Sequence, residues 1–299
     1  MNSPVTVGHV LLTRFNLPSP GVEQLIRARD GWLRERVELF ERYCLPSVLG
    51  QTEKRFSWIV YFDEQSPQWL KEWARAHAVA NAFTPIYRTE VPCDVLLADI
   101  RATAHGDEKW LLTTNLDNDD GLAIDFVERV RAAALAANER SAIYLTRGLI
   151  RGPAGLFLRE DRDNAFCSVV ESSEEAVTCW ADWHNRLSMT MPTIQIGGEP
   201  AWLQVVHGSN VSNRVRGRLV TPNPYRHLFG RGLSDSATPI RSTLLRDRVI
   251  GAPMRRIRDA TRGGIKSVAI TVLGKSGLDR AKSAVAFARR SHVSTKGIS

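Results

Sequence analysis

The feature that most constrains the fold is an alternation of apolar runs and amphipathic runs over the first 140 residues. Val7 to Phe15 reads as a buried strand, and Asn16 to Gly21, with two prolines and a glycine, reads as a loop leaving its carboxyl end. Trp32 to Leu49 reads as a helix, because Leu33, Val37, Phe40, Cys44 and Val48 recur at three- and four-residue steps. Phe56 to Phe62 is a second strand, rich in aromatic and β-branched residues, and Ser66-Pro67 opens a helix that runs to about Val79. A third strand over Phe83 to Tyr87, a helix over Asp94 to His105 and a strand beginning at Trp110 complete the series, with a helix to about Asn138. Strand followed by helix four times predicts a doubly wound α/β sheet with largely parallel strands.

In such sheets ligands bind at the carboxyl ends of the strands. The run Trp110-Leu-Leu-Thr-Thr-Asn-Leu-Asp-Asn-Asp-Asp-Gly121 ends there in three carboxylates, Asp117, Asp119 and Asp120. Carboxylates this close repel one another unless a cation or solvent compensates. Asp117 and Asp119, two apart at a strand end, can face one side and share Mg²⁺ or Mn²⁺, which favour carboxylate oxygen and complete their shells with phosphate and water. Two structural readings compete. Asp119 or Asp120 can cap the following helix. An EF-hand loop would place Glu128 at its twelfth position, but glycine falls at the fifth position rather than the sixth.

Beyond Ala142 the pattern changes. Ile143 to Ile150, Gly155 to Arg159 and Ala165 to Glu171 read as short strands, Ser173 to Leu187 as a helix, and Ile194 to Ile196 and Trp202 to Val206 as further strands. Charge divides the chain as well. From Arg241 onward there are 14 Lys/Arg against 3 Asp/Glu, while the first 240 residues carry 26 against 29. A basic, interruptedly apolar extension over 236–299 is expected to meet an anionic surface, and a membrane is the reading favoured over a solvated tail. Cys44, Cys93, Cys167 and Cys179 are scattered without the close pairs of a zinc site, which suggests reduced thiols in a cytoplasmic protein. Neither a signal-peptide pattern nor an apolar run of membrane-spanning length is present. The expectation is a cytoplasmic protein, peripheral on the inner face of the membrane through its basic extension.

Four segments carry a family resemblance: Val10-Leu-Leu-Thr-Arg-Phe-Asn16, Phe56-Ser-Trp-Ile-Val-Tyr-Phe-Asp63, Leu116-Asp-Asn-Asp-Asp-Gly121 and Trp202-Leu-Gln-Val-Val-His-Gly-Ser-Asn210. Together they resemble the bacterial rhamnosyltransferase family, nucleotide-sugar-dependent glycosyltransferases of the GT-A type. The resemblance spans roughly residues 8 to 215. It implies a GT-A domain over 1–235, with a nucleotide-binding half over 1–140 and an acceptor half over 141–235. Asp117-Asn118-Asp119 would then be the D-x-D motif that holds a divalent metal (Mn²⁺ or Mg²⁺) against the donor diphosphate. It further implies His207 as a metal or phosphate ligand, Asp63 at the base or ribose, and Thr13, Arg14, Asn16 and Arg214 at the donor. Asp182, in the cluster Trp180-Ala-Asp-Trp-His184, is the candidate general base of an inverting enzyme, with Trp180 and Trp183 offering faces to a sugar. The expected partners are a nucleotide-sugar and a glycan or lipid-linked acceptor of the cell envelope.

Two other classes remain open on sequence. A phosphohydrolase also uses strand-end aspartates, though usually after an early strand. A nucleic-acid-binding protein would use the basic extension, but no aromatic-interleaved basic sheet or helix-turn-helix pattern is present.

Overall fold

The structure is a computed structural model that describes residues 6–18, 31–103, 108–207, 215–255 and 257–258. A seven-stranded sheet forms its body. Its strands are β1 (Val7–Arg14), β2 (Ser57–Asp63), β3 (Thr84–Arg88), β4 (Trp110–Asn115), β6 (Ser141–Leu145), β9 (Ser168–Ser172) and β10 (Thr193–Ile196), in the order β10-β6-β9-β4-β1-β2-β3. All pairings are parallel except those of β9, which runs against both β4 and β6. Between strands lie α1, made of Trp32–Leu39, a π turn at Phe40–Cys44 and Leu45–Leu49, then α2 (Gln68–Val79), α3 (Cys93–Thr103) and α4 (Phe126–Ala136).

The central strands of this sheet are buried on both faces, which is why β1, β2 and β6 read as near-continuous apolar runs rather than alternating. Leu11, Trp58, Val60, Phe62 and Leu112 pack on one face against Phe40 and Val48 of α1, Leu70 of α2 and Val127 and Val130 of α4. Val10, Leu12, Ile59, Tyr61 and Tyr144 pack on the other face against Leu96 and Ile100 of α3. Cys44, Cys167 and Cys179 are buried free thiols, whereas Cys93 is exposed.

A second sheet of five short strands has the order β12-β8-β7-β11-β5. It contains β5 (Gly121–Leu122), β7 (Arg147–Gly152), β8 (Gly155–Glu160), β11 (Trp202–Val205) and β12 (Arg218–Val220). The single strand expected over 143–150 is therefore two, β6 and β7, which part at Thr146 into different sheets. The strands after residue 140 do not form one separate layer, since β6, β9 and β10 complete the first sheet. A C-terminal helix, α5, begins at Arg241–Arg246 and continues through a π turn at Asp247–Gly251.

The helix expected over Ser173–Leu187 is absent. Only a short 3₁₀ turn at Leu187–Met189 occurs there. The reason is competition for backbone amides. The buried carboxylate of Glu171 accepts from Val177 N (3.0 Å) and Thr178 N (2.7 Å), and the hydroxyl of Thr113 accepts from Cys179 N (2.8 Å). Captured in this way, the amides cannot enter an i to i−4 ladder.

Trp202 joins the two sheets. Its indole N–H donates to the carbonyl of Leu145 at 2.8 Å, and its ring stacks on Phe166 at 5.1 Å. Glycine at 148 permits this, because a Cβ there would lie 2.0 Å from Trp202 Cδ2. Gly148→Ala is therefore expected to destabilise the protein by roughly 1–3 kcal/mol through overpacking. Urea unfolding checks this, and an unchanged midpoint would show that Trp202 can move aside.

Candidate active site

The first sheet reverses its strand order beside β1. The chain adds β2 and β3 on one side of β1 and then returns to place β4 on the other. The crevice outside such a switch point is where open α/β sheets bind ligands. Leu12 lies opposite Asn115, so the segments Arg14–Asn16 and Asn115–Asp120 leave the sheet side by side. Asn118 fastens them together, its amide donating to the carbonyls of Arg14 (3.0 Å) and Phe15 (2.5 Å).

The three carboxylates meet three different environments. Asp119 is buried, and its Oδ2 accepts from Arg36 Nη1 at 2.7 Å and from His207 Nε2 at 2.9 Å. Burial alone would raise its carboxyl, but the His207 hydrogen bond and the Arg36 charge outweigh burial and hold it below the ordinary value. The Asp117 side chain is exposed. Desolvation by the surrounding protein, followed by the charge of Asp119, raises its carboxyl, against the opposing effects of Asn115, His184 and Arg14. Asp120 is fully buried, and burial followed by its two acidic neighbours pushes it well above the ordinary value. Its Oδ1 accepts from Val205 N at 2.7 Å, while Oδ2 finds no partner among the described residues. Asp120 thus ties the acidic loop to the end of β11, and two residues later the chain delivers His207 to Asp119.

Arg36 was not legible as a site residue. It lies on α1, eighty-three positions from Asp119, and its Nη1 also donates to Asn118 Oδ1 at 3.1 Å. Among the sequence signals, only the unbalanced charge of the acidic loop pointed to a cation of this kind.

The other flank is built by Trp180. Its indole N–H donates to Asn115 Oδ1 at 2.7 Å, and the Arg14 guanidinium carbon sits 4.0 Å from its ring centre. Tyr61 packs 5.6 Å away from the same ring, so Trp180 serves as a platform that positions Arg14. The loop carrying Trp180 contains Thr178 at φ 70, a conformation that a β-branched residue adopts only when its surroundings impose it. The amide bonds to Glu171 and Thr113 supply that constraint.

The remaining expected residues are placed as follows. Thr13 is fully buried and accepts from Trp58 Nε1 at 3.0 Å, so it supports the strand rather than facing the crevice. Asn16 is also buried, donating to Ser66 Oγ at 3.0 Å and accepting from Asp63 N at 3.1 Å, which fixes the ends of β1 and β2 relative to each other. The Asp63 carboxylate accepts from Gln65 N at 2.8 Å within a turn. Asp182 accepts from Trp183 N at 2.7 Å and pairs with Arg186 at 3.4 Å. Trp183 is exposed. Arg214 lies outside the described residues.

Among the described residues no three His, Cys, Asp or Glu side chains converge as a closed metal cage. The donor chemistry still fits a hard divalent cation of the Mg²⁺ or Mn²⁺ kind. Such ions take one or two carboxylates and draw their remaining ligands from phosphate and water. Asp117 and Asp119 are two such carboxylates, and each raises the electrostatic cost of ionising the other, a cost that a shared cation would relieve.

The family described as "putative rhamnosyl transferase" matches residues 8–219 of this chain. Among solved structures, S. aureus TarS aligns at 10% identity and a TM-score of 0.40, covering 67% of this chain and 37% of that one. The TarS 1–349 structure in complex with UDP aligns at 9% identity and a TM-score of 0.40, over 67% of this chain and 60% of that one. The inositol-1-phosphate CTP transferase from T. maritima aligns at 9% identity and a TM-score of 0.35, covering 76% and 97%. The chain thus spans less than two thirds of the TarS chains it matches. No curated protein matches it.

The carboxylate environments have opposite consequences for stability. Removing the Arg36 charge with Arg36→Met is expected to cost roughly 1–3 kcal/mol at neutral pH. Asp119 is held low, so this wild-type advantage is full above about pH 4 and shrinks as pH falls through the lowered value. Asp120 is held high, so its sign reverses. Wild type should lose stability relative to Asp120→Asn as pH rises above about 4, levelling off once the raised value is passed. Denaturant midpoints across pH for the three proteins check both slopes.

Proposed function

We propose, from the premise that this chain belongs to the rhamnosyl transferase family and is a glycosyltransferase, that it moves a sugar from a nucleotide-sugar donor bound at the acidic loop. The observation that carries this reading is the placement of Asp117 and Asp119 at the carboxyl end of β4, at the switch point of the sheet, with Asp119 braced by Arg36 and His207. The donor diphosphate is the ligand that this geometry suits. Arg14, held over Trp180 beside Asp117, supplies a guanidinium to its oxygens. Asp63, at the neighbouring strand end, offers a carboxylate to the base or ribose.

Asp117 and Asp119, with His207 alongside, would hold a divalent cation, whose chemistry is to neutralise charge on the departing diphosphate. Arg36 keeps Asp119 ionised and fixes its orientation for that duty. On the acceptor side Asp182 is the proposed general base. It is carried on the same loop as Trp180 and is partly exposed. Rhamnose is the sugar the family description carries, and the proposal adopts it. The acceptor is a glycan or a lipid-linked saccharide, met at the cytoplasmic face of the membrane. Among the described residues no helix is long and apolar enough to cross a membrane.

The phosphohydrolase alternative is less well supported. Its aspartate pair usually follows an early strand, whereas Asp117 and Asp119 follow β4, and Asp119 Oδ2 is already engaged by Arg36 and His207.

Asp117→Asn and Asp119→Asn are each expected to lower transfer by about a hundredfold or more while the protein stays folded. Asp182→Asn is expected to lower kcat by ~10²–10⁴ with donor binding unchanged. Transfer assays with a panel of nucleotide-sugars check both. Full activity of Asp117→Asn and Asp119→Asn under chelation would overturn the metal-assisted reading.

A further inference from the structure

The most unusual surface among the described residues is not at the acidic loop. It lies on α5, the helix that begins at Arg241. Leu245 (63% exposed), Val249 (64%), Ile250 (52%), Met254 (64%) and Ile257 (65%) all project into solvent. The opposite side of the same helix is engaged with the body of the protein. Ala252 is buried, and Leu244, Asp247, Gly251 and Arg255 are partly buried.

The engaged side is held firmly. Asp247 Oδ2 accepts from Leu219 N of β12 at 2.8 Å. Arg255 Nη2 reaches both carboxylate oxygens of Asp247, at 2.7 and 2.8 Å, and Arg255 Nε donates to Gly217 O at 3.0 Å. The Arg255 guanidinium also sits 4.9 Å from the ring centre of Phe157 on β8. The helix is therefore docked on the edge of the second sheet through Asp247, Arg255 and the small Ala252, with its large apolar side chains turned outward. That arrangement is the reverse of an ordinary surface helix.

Charge identifies the occupant. Arg241, Arg246, Arg248 and Arg258 are exposed beside the apolar row. The sequence from residue 241 onward carries 14 Lys/Arg against 3 Asp/Glu, whereas the preceding 240 residues carry 26 against 29. An apolar row rimmed by arginines, on the one strongly basic part of the chain, is complementary to lipid with anionic head groups. Apolar side chains enter the acyl boundary while arginines stay at the head groups.

We propose that the outward face of α5, formed by Leu245, Val249, Ile250, Met254 and Ile257, is a docking surface for an anionic lipid bilayer. The bilayer then lies on the far side of α5 from the edge strand β12, and the sheet beneath α5 also carries β11, which leads to His207 at the acidic loop. This goes beyond the sugar-transfer reading and does not depend on it.

The test is co-sedimentation of the full chain with vesicles. Wild type is expected to pellet with phosphatidylglycerol–phosphatidylcholine vesicles, weakly or not at all with phosphatidylcholine alone, and less as salt increases. The double substitution Leu245→Asp with Met254→Asp changes only exposed side chains, so its thermal midpoint is expected to match wild type. Its partition onto the anionic vesicles is expected to fall about tenfold or more. Three results would overturn the proposal. One is failure of wild type to pellet with anionic vesicles. Another is equal pelleting of the double variant, which would assign binding to the basic charge alone. The third is a dimer in sedimentation velocity that the double variant dissolves, without vesicle binding, which would assign the face to a second copy of the chain.

Discussion

Like charges crowded at one strand end are the constraint from which the rest of the site follows. Three carboxylates in four positions are costly in a protein interior unless each is answered. The fold answers each by a different means. Asp119 receives Arg36 and His207, Asp117 is left to solvent beside Arg14, and Asp120 is buried where its neutral form is favoured. Each answer recruits a different element. Arg36 comes from α1, His207 from the segment after β11, and Arg14 from the end of β1. Compensating one acidic loop therefore fixes how a helix and both sheets meet.

The supporting layer is as specific as the site. Trp202 over Gly148 brings β11 against β7, and the Val205 amide then reaches Asp120. On the other flank, Glu171 and Thr113 hold the Thr178 loop in a left-handed turn, so that Trp180 lands beside Asn115 and beneath Arg14. These are packing and hydrogen-bond devices with no reacting atom among them. Their common effect is that Arg14 and Asp119 are oriented by the fold itself.

The first sheet was legible because burial on both faces writes itself as unbroken apolar strands, and the intervening helices carry their own period. The acidic loop was legible for a related reason, since a cluster of carboxylates at a strand end has few structural uses. Arg36 was not legible, because one arginine on an amphipathic helix looks like any solvated charge until the partner eighty-three residues away is known. The missing helix at Ser173–Leu187 failed for the same reason. Its local pattern favours a helix, and only the distant side chains of Glu171 and Thr113 show where its amides go. Thr13 and Asn16 sit at the right strand ends, but alternation and side-chain bonding turn them into the protein. The outward row on α5 was visible as a basic, apolar composition, though which side would face the body depended on Asp247 and Arg255.

The central claim is that the acidic loop binds the diphosphate of a nucleotide-sugar together with a divalent cation. The most direct measurement is the thermal midpoint of the full chain with a panel of nucleoside diphosphates, each with and without Mn²⁺. A ligand that binds only the native state raises that midpoint with increasing concentration. One nucleoside diphosphate is expected to raise it in the presence of Mn²⁺ and to lose that effect on chelation or in Asp117→Asn. No rise with any nucleoside diphosphate, in folded protein with Mn²⁺ present, would contradict the claim.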